Sequence, residues 1–211
     1  MLSTQPMGIL FRLACLGALV GVAAAPQPGV ELQSGDVVLQ ASRSSRSALI
    51  RKASRSKYSH VGVVEVAKDG VFVIEAVAPV SRTPLETWRL RGEGQWVTVL
   101  RAKNLDDARK RRVVAEAKKH LGKPYDAKYR WDDERLYCSE LVVKAFARGA
   151  ELTVGHQEQV KSLALSPDEL KFAASQGISP DQFLVTPSSL AEDESFEVVA
   201  DEVKSFAPAG G

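Results

Sequence analysis

The chain has 211 residues and a formal charge of +2, from 28 Lys and Arg against 26 Asp and Glu. That length supports one domain with a real hydrophobic core and is short for two. The near-even charge balance names no partner and argues neither for nucleic acid nor against it.

The sequence opens with an apolar run, Leu13 to Ala25, preceded by a single charge, Arg12, and ending in small residues. This pattern reads as a secretory signal peptide over residues 1–24, with cleavage after Ala24; an uncleaved anchor is the alternative. The run is shorter than the ~20 residues a permanent transmembrane helix needs. Arg12 lies close before Cys15 and the apolar run follows that cysteine, so lipidation there is discounted. Export would leave Cys138 as the only cysteine of the mature chain. In an oxidising compartment small proteins normally pair their cysteines, so a lone thiol suggests chemistry.

After a Pro/Gly linker, "SGDVVLQ" predicts a turn and a short strand. The segment "SRSSRSALIRKASRSKYS" is basic and serine-rich; Ala48, Leu49, Ile50 and Ala53 can form one stripe of a short helix. Its arginines and lysines then form either a solvated face or a basic rim that attracts an anionic surface polymer or lipid. "SHVGVVEVAKDGVFVIEAVAPV" carries two β-branched runs around Lys68-Asp69-Gly70 and predicts a hairpin. A third strand is expected over Gln95–Ala102, after an irregular stretch containing Trp88. "NLDDARKRRVVAEAKKHLGKP" predicts a helix capped by Asn104, with Lys118, Lys119 and His120 in its last turn and Gly122 and Pro124 ending it.

A second helix is expected to start at or just before Cys138, carry Leu141, Val142, Ala145 and Phe146 on its apolar side, and stop near Gly149. Beyond it lie a short helix, turns at Pro167, Pro180 and Pro187, and a last strand at Phe196–Ala200. The tail, 206–211, is expected to be disordered, and the domain to span 25–205.

A cysteine at a helix start faces unpaired N–H groups and the positive end of the dipole, both of which stabilise a thiolate nucleophile. A base is then needed to hold the ion pair and protonate the leaving group. His120 and His156 have sufficient structural explanations in a helix end and a polar loop. His60 opens a strand and shares a face with Gly62 and Val64, where a satisfied core histidine is the bland alternative. Glu75 breaks the apolar alternation of "VFVIEAV" and requires a partner. A four-residue loop, Ala67 to Gly70, makes Glu75 the diagonal neighbour of His60; a two-residue Asp69-Gly70 turn leaves them too far apart, and an odd loop puts them on opposite faces. Cys138, His60 and Glu75 supply the three roles of a cysteine-hydrolase triad. The Cys138 N–H and a tyrosine hydroxyl are the candidate oxyanion donors: Tyr125, or Tyr137, for which packing with an exposed polar tip is the preferred reading. One cysteine, one histidine and one acid do not make a closed zinc site, so neither a metal nor a cofactor is expected.

In order, "SGDVVL", "SKYSHVGVV", "VFVIEAVAPVSRTPLETW", "GKPYD" and "YCSELV" resemble the circularly permuted, papain-like cysteine amidases and peptidases of the YiiX/YaeF type, relatives of the NlpC-type cell-wall peptidases. The resemblance covers most of residues 34–145 and is loose in the C-terminal stretch, where "VTPSSL" and the last strand carry it. It implies an α+β fold with a small antiparallel sheet packed on the cysteine helix. It also implies a triad of His60, Glu75 and Cys138, with Tyr125 in the place of an oxyanion tyrosine. The expected activity is cleavage of a peptide or amino-acyl amide, with the cell wall as the source the resemblance points to, by an exported periplasmic or extracellular enzyme. Lipid acyl transfer or lipid amide cleavage is the competing reading, and a non-catalytic binding module the third. The expected partners are a small peptide, amino-acyl or acyl-lipid substrate and a cell-wall or membrane surface, and no nucleic acid.

Overall fold

The computed structural model describes residues 29–206. The expected leader lies outside the described residues, and so do residues 207–211 of the expected tail. Phe206 itself is paired, in a parallel bridge with Val30, so ordered structure reaches the first residue assigned to that tail.

Six strands form one antiparallel sheet: β1 (Val37–Gln40), β2 (His60–Ala67), β3 (Gly70–Glu75), β4 (Ser81–Pro84), β5 (Val97–Ala102) and β8 (Phe196–Val203), in the order β4-β3-β2-β1-β5-β8. Two short strands, β6 (Gln157–Gln159) and β7 (Phe183–Val185), pair separately. The helices are α1 (Ser47–Ala53), α2 (Leu85–Leu90), α3 (Asp107–Lys118), α4 (Cys138–Ala150), α5 (Pro167–Ser175) and α6 (Pro187–Ala191). The architecture is therefore the α+β arrangement expected, with the sheet packed on the helix that carries the cysteine.

Alternation along the strands divides the core into two layers. Val37, Leu39, Val61, Val63 and Ile74 face α3 and α4, where they meet Val113, Ala117, Leu141, Val142 and Phe146. Val38, Val64, Val73, Val97 and Val99 face the opposite way, onto Trp88 of α2. α4 is enclosed on nearly all sides, from Cys138 through Phe146. This is the condition for an apolar helix, and each large side chain buried there contributes about 1.5–3 kcal/mol. It also approaches α3 closely: a Cβ on Gly149 would lie 2.5 Å from the Val113 backbone nitrogen. Burial on this scale anchors the start of α4, and with it Cys138.

Five expectations are corrected. Asp106 caps α3, accepting from the Arg109 N–H at 2.7 Å, whereas Asn104 adopts a left-handed conformation at φ 56°. The physical reason is Leu105, whose burial requires the chain to turn before the helix can begin. α3 ends at Lys118, so His120 lies beyond its last turn and is itself buried. The stretch containing Trp88 is regular: it forms the edge strand β4 and helix α2. The third strand runs from Val97, two residues later than Gln95, and the last extends beyond Ala200 to Val203.

Candidate active site

Cys138 is the first residue of α4, so its N–H is among the four donors that no helix can satisfy internally. The preceding residue, Tyr137, has an extended backbone at φ −102°, ψ 168°, and the chain enters α4 from an irregular loop. The Tyr137 ring is anchored away from the site: its hydroxyl accepts from the Val185 N–H at 3.1 Å and its ring meets Tyr129 edge-on. Tyr137 is thus packed, as expected, but its polar tip is buried and not exposed. Glu140 Oε2 accepts from the Tyr137 N–H at 3.3 Å and steadies the same turn. Lys144 Nζ is 2.8 Å from the other Glu140 oxygen, an ion pair without hydrogen-bond geometry.

The β2–β3 hairpin settles the register. Ala67 pairs with Gly70, Val66 with Val71 and Val63 with Ile74, which is the diagonal arrangement for His60 and Glu75. His60 Nε2 and Glu75 Oε2 are 2.6 Å apart. Gly62 supports this arrangement: a Cβ there would stand 2.4 Å from Val73 Cγ1 and 3.4 Å from Glu75 Cβ, so a larger residue would press on the strand that carries Glu75. With Nε2 committed to Glu75, Nδ1 is the imidazole nitrogen left for a second partner.

Glu75 is wholly buried and fully used. Its second oxygen accepts from Thr83 Oγ1 at 2.5 Å and from the Arg91 guanidinium. Burial pushes its pKa up, but His60, Thr83 and Arg91 together hold it below the ordinary glutamate value. Burial also pulls His60 down, yet the bonds with Cys138 and Glu75 outweigh it and raise the imidazole to about 9. The Trp88 ring stacks on the imidazole with centroids 6.0 Å apart, which fixes the plane of the ring. A base held in one tautomer and one plane beside a helix-start thiol can take up, keep and return a proton.

Cys138 lies between two cavities. One, of about 110 Å³, is apolar and is lined by Ile50, Tyr129, Leu163, Leu165, Ile178 and Leu184. The other, of about 550 Å³, holds His60 together with Arg43, Arg46 and Arg91. Tyr125 borders both. Burial, and then the charge of a Cys138 thiolate, push its pKa well above the usual tyrosine value, so its hydroxyl remains a donor.

Of the sequence-predicted residues, Cys138, His60 and Tyr125 therefore line one cleft, and Glu75 lies buried behind His60. His156 stays in an exposed loop, and His120 sits in the turn after α3, its pKa lowered by burial and by Lys123. Sequence reasoning missed Thr83 of β4, Trp88 of α2 and Arg91, the residue that follows α2, and gave no role to Gly62. A signal for them existed in the polar and aromatic residues of "SRTPLETWRLRG", directly after the strand that carries Glu75.

A profile of permuted papain-like amidase enzymes of the YaeF/YiiX family matches residues 31–200. The chain is 36% identical over 201 residues to the protein YiiX of Escherichia coli, covering 92% of this chain and 98% of that one. A crystal structure of YiiX from Escherichia coli O157:H7, described there as a metalloprotein, superposes with a TM-score of 0.76 at 35% identity, over 81% of this chain and 97% of that one. Among the described residues here, no three His, Cys, Asp or Glu side chains converge in a way that could hold a metal ion, so this donor set does not fit a resident metal.

Proposed function

Because the chain belongs to the permuted papain-like amidase family, we propose that it is a cysteine amidase in which Cys138 is the nucleophile, His60 the base and then the acid, and Glu75 the residue that orients His60. The observation that carries this reading is the 2.6 Å contact between His60 and a buried Glu75 in a cleft bordered by the helix-start thiol. The Cys138 sulfur attacks the amide carbon, and the oxyanion is met by the Cys138 N–H and the Tyr125 hydroxyl. The C–N bond breaks as His60 passes its proton to the departing nitrogen. Water, deprotonated by His60, then opens the thioester.

The apolar cavity beside Cys138 favours a second reading within the same chemistry, cleavage or transfer of an acyl group carrying a hydrocarbon chain. The leader read from the sequence supports an action outside the cytoplasm. No helix among the described residues is long and apolar enough to cross a membrane. The deciding experiment exposes the purified protein to a library of peptidyl and fatty-acyl amides and active esters, and identifies adducts by peptide mass spectrometry. A thioester on Cys138, absent in His60→Ala, is expected; acylation elsewhere, or none, would remove Cys138 as the nucleophile.

A further inference from the structure

The two cavities flanking Cys138 differ in chemistry, and the difference assigns the two halves of a substrate. The smaller one is walled mainly by Leu, Ile, Val and tyrosine ring surface, and the hydroxyls of its Ser59, Ser139 and Thr186 are already bonded to Ser47, the Val185 carbonyl and Glu158, so a charge buried there finds no partner. The larger one has three arginines and no acidic residue among its lining side chains. Arg91 is already matched by Glu75. Among the described residues, neither Arg43 nor Arg46 forms a salt bridge with any carboxylate, and Arg46 is held over the face of Tyr125, 5.8 Å from its ring centre. Backbone pairing between the Arg43 N–H and the Arg91 carbonyl, at 3.0 Å, ties the arginine segment to the cleft wall.

Direction follows from the proton. The nitrogen that departs must take its proton from His60, and His60 borders the arginine-lined cavity, not the apolar one. The group remaining on the Cys138 sulfur is left on the apolar side. Resting on the amidase reading above, we propose that the arginine-lined cavity is a leaving-group subsite for an anion, so that the substrate is an amide with an apolar acyl part and a released amine bearing a carboxylate or a phosphate. In the reaction the thiolate bonds to the acyl carbon, the C–N bond breaks, and the His60 proton goes to nitrogen. The anionic amine leaves past Arg43 and Arg46. Water then converts the thioester to the free acid and restores the thiol–imidazole pair.

The test compares three amides with one acyl chain: N-dodecanoylglycine, N-dodecanoyl-2-aminoethyl phosphate and the neutral N-dodecanoylglycinamide. Affinities are measured calorimetrically on the Cys138→Ala protein, so that binding is read whether or not turnover occurs. Both anionic amides should bind at least about tenfold more tightly than the neutral one, the equivalent of one good charge pair. The preference should shrink as salt rises and vanish in Cys138→Ala carrying Arg43→Gln and Arg46→Gln, with unchanged thermal unfolding showing that the variant is folded. The single changes Arg43→Gln and Arg46→Gln, each lowering the preference in part, serve if the combined variant unfolds. Tighter binding of the phosphate than of the carboxylate would assign the subsite to phosphate, and the reverse to carboxylate. Equal affinity for charged and neutral amides, no binding of any of them, or a preference that survives loss of both arginines overturns the subsite. Acylation of wild-type Cys138 by p-nitrophenyl dodecanoate is followed in parallel; its failure would count against the amidase reading, while the binding comparison still decides the subsite.

Discussion

Gly62 faces Glu75 across the β2–β3 pair, and the space left by its missing side chain is filled by Val73 Cγ1, which keeps the two strands close where Glu75 meets His60. A methyl at Gly62 would stand 2.4 Å from Val73 Cγ1 and 2.9 Å from the Ile74 carbonyl oxygen. The second contact is with backbone held in a central strand and cannot be relieved by a rotamer change. Gly62→Ala is expected to cost about 1–3 kcal/mol, as overpacking does, and to separate the imidazole from its carboxylate. Urea unfolding and turnover, measured together, check this; unchanged values of both would mean that the strands have more freedom here than the packing implies.

The proton on His60 gives a pH test. Its pKa is raised to about 9, so the stability and ion pairing it contributes are fully present below the ordinary histidine value of 6.5 and are lost as pH rises through 9. Cys138 is the largest of the influences that raise it. In Cys138→Ala, the midpoint of the His60 ring-proton shift in NMR should therefore fall toward the ordinary value. Coincident midpoints in the two proteins would show that thiol and imidazole do not interact.

Much of this site was readable before any coordinates because a buried acid is conspicuous in an apolar alternation. Glu75 could be placed on the face of His60 by counting, but only if the loop length was known. The hairpin resolves the ambiguity by closing with Lys68 and Asp69 between the Ala67–Gly70 pair. The supports of the site were hidden for a different reason. β4 ends in Pro84, which cannot donate to a ladder, and α2 has only six residues, too few for a helical period to emerge. β6 and β7, three residues each, leave no alternation to detect. Asn104 and Asp106 are both good caps, and what selects between them is the burial of Leu105, a tertiary fact.

Arg91 is expected to act as a positioning residue through Glu75. Removing its guanidinium in Arg91→Met leaves Thr83 as the remaining donor to that oxygen, so the Glu75 pKa should rise toward or above the ordinary value. Glu75 supports the site above its unfolded pKa and loses that effect as pH falls through its depressed folded value. The acid limb of the kcat/KM profile should therefore move to higher pH in Arg91→Met, with Arg91→Lys intermediate. A limb that stays in place would separate Arg91 from the triad.

Tyr125→Phe isolates the oxyanion donor. It removes only a hydroxyl from a ring that packs beside Cys138, so substrate binding should change little while kcat falls by about 10²–10³, the usual cost of one such donor. A rise in KM with kcat preserved would mean that Tyr125 shapes the cleft and does not touch the developing charge.

Glu75→Gln is the sharpest test of how the dyad works, because the surroundings of Glu75 dictate which way the amide must turn. Thr83 and Arg91 both donate to Oε1, so the glutamine carbonyl oxygen is drawn to that side and its NH₂ is left facing His60 Nε2. The imidazole must then accept at Nε2 and carry its proton on Nδ1, toward Cys138. That is the wrong tautomer for a neutral base waiting to receive the thiol proton, and the charge that stabilised imidazolium has also gone. The loss should therefore approach that of a triad acid-to-amide change, roughly 10³–10⁴ in kcat, although the shape is nearly preserved. Combining His60→Ala with Glu75→Gln should be scarcely worse than His60→Ala alone, since residues that act as a unit are not additive. Losses that add in log units across the double variant would show Glu75 acting on the substrate directly, and its assignment as the orienter of His60 would fall.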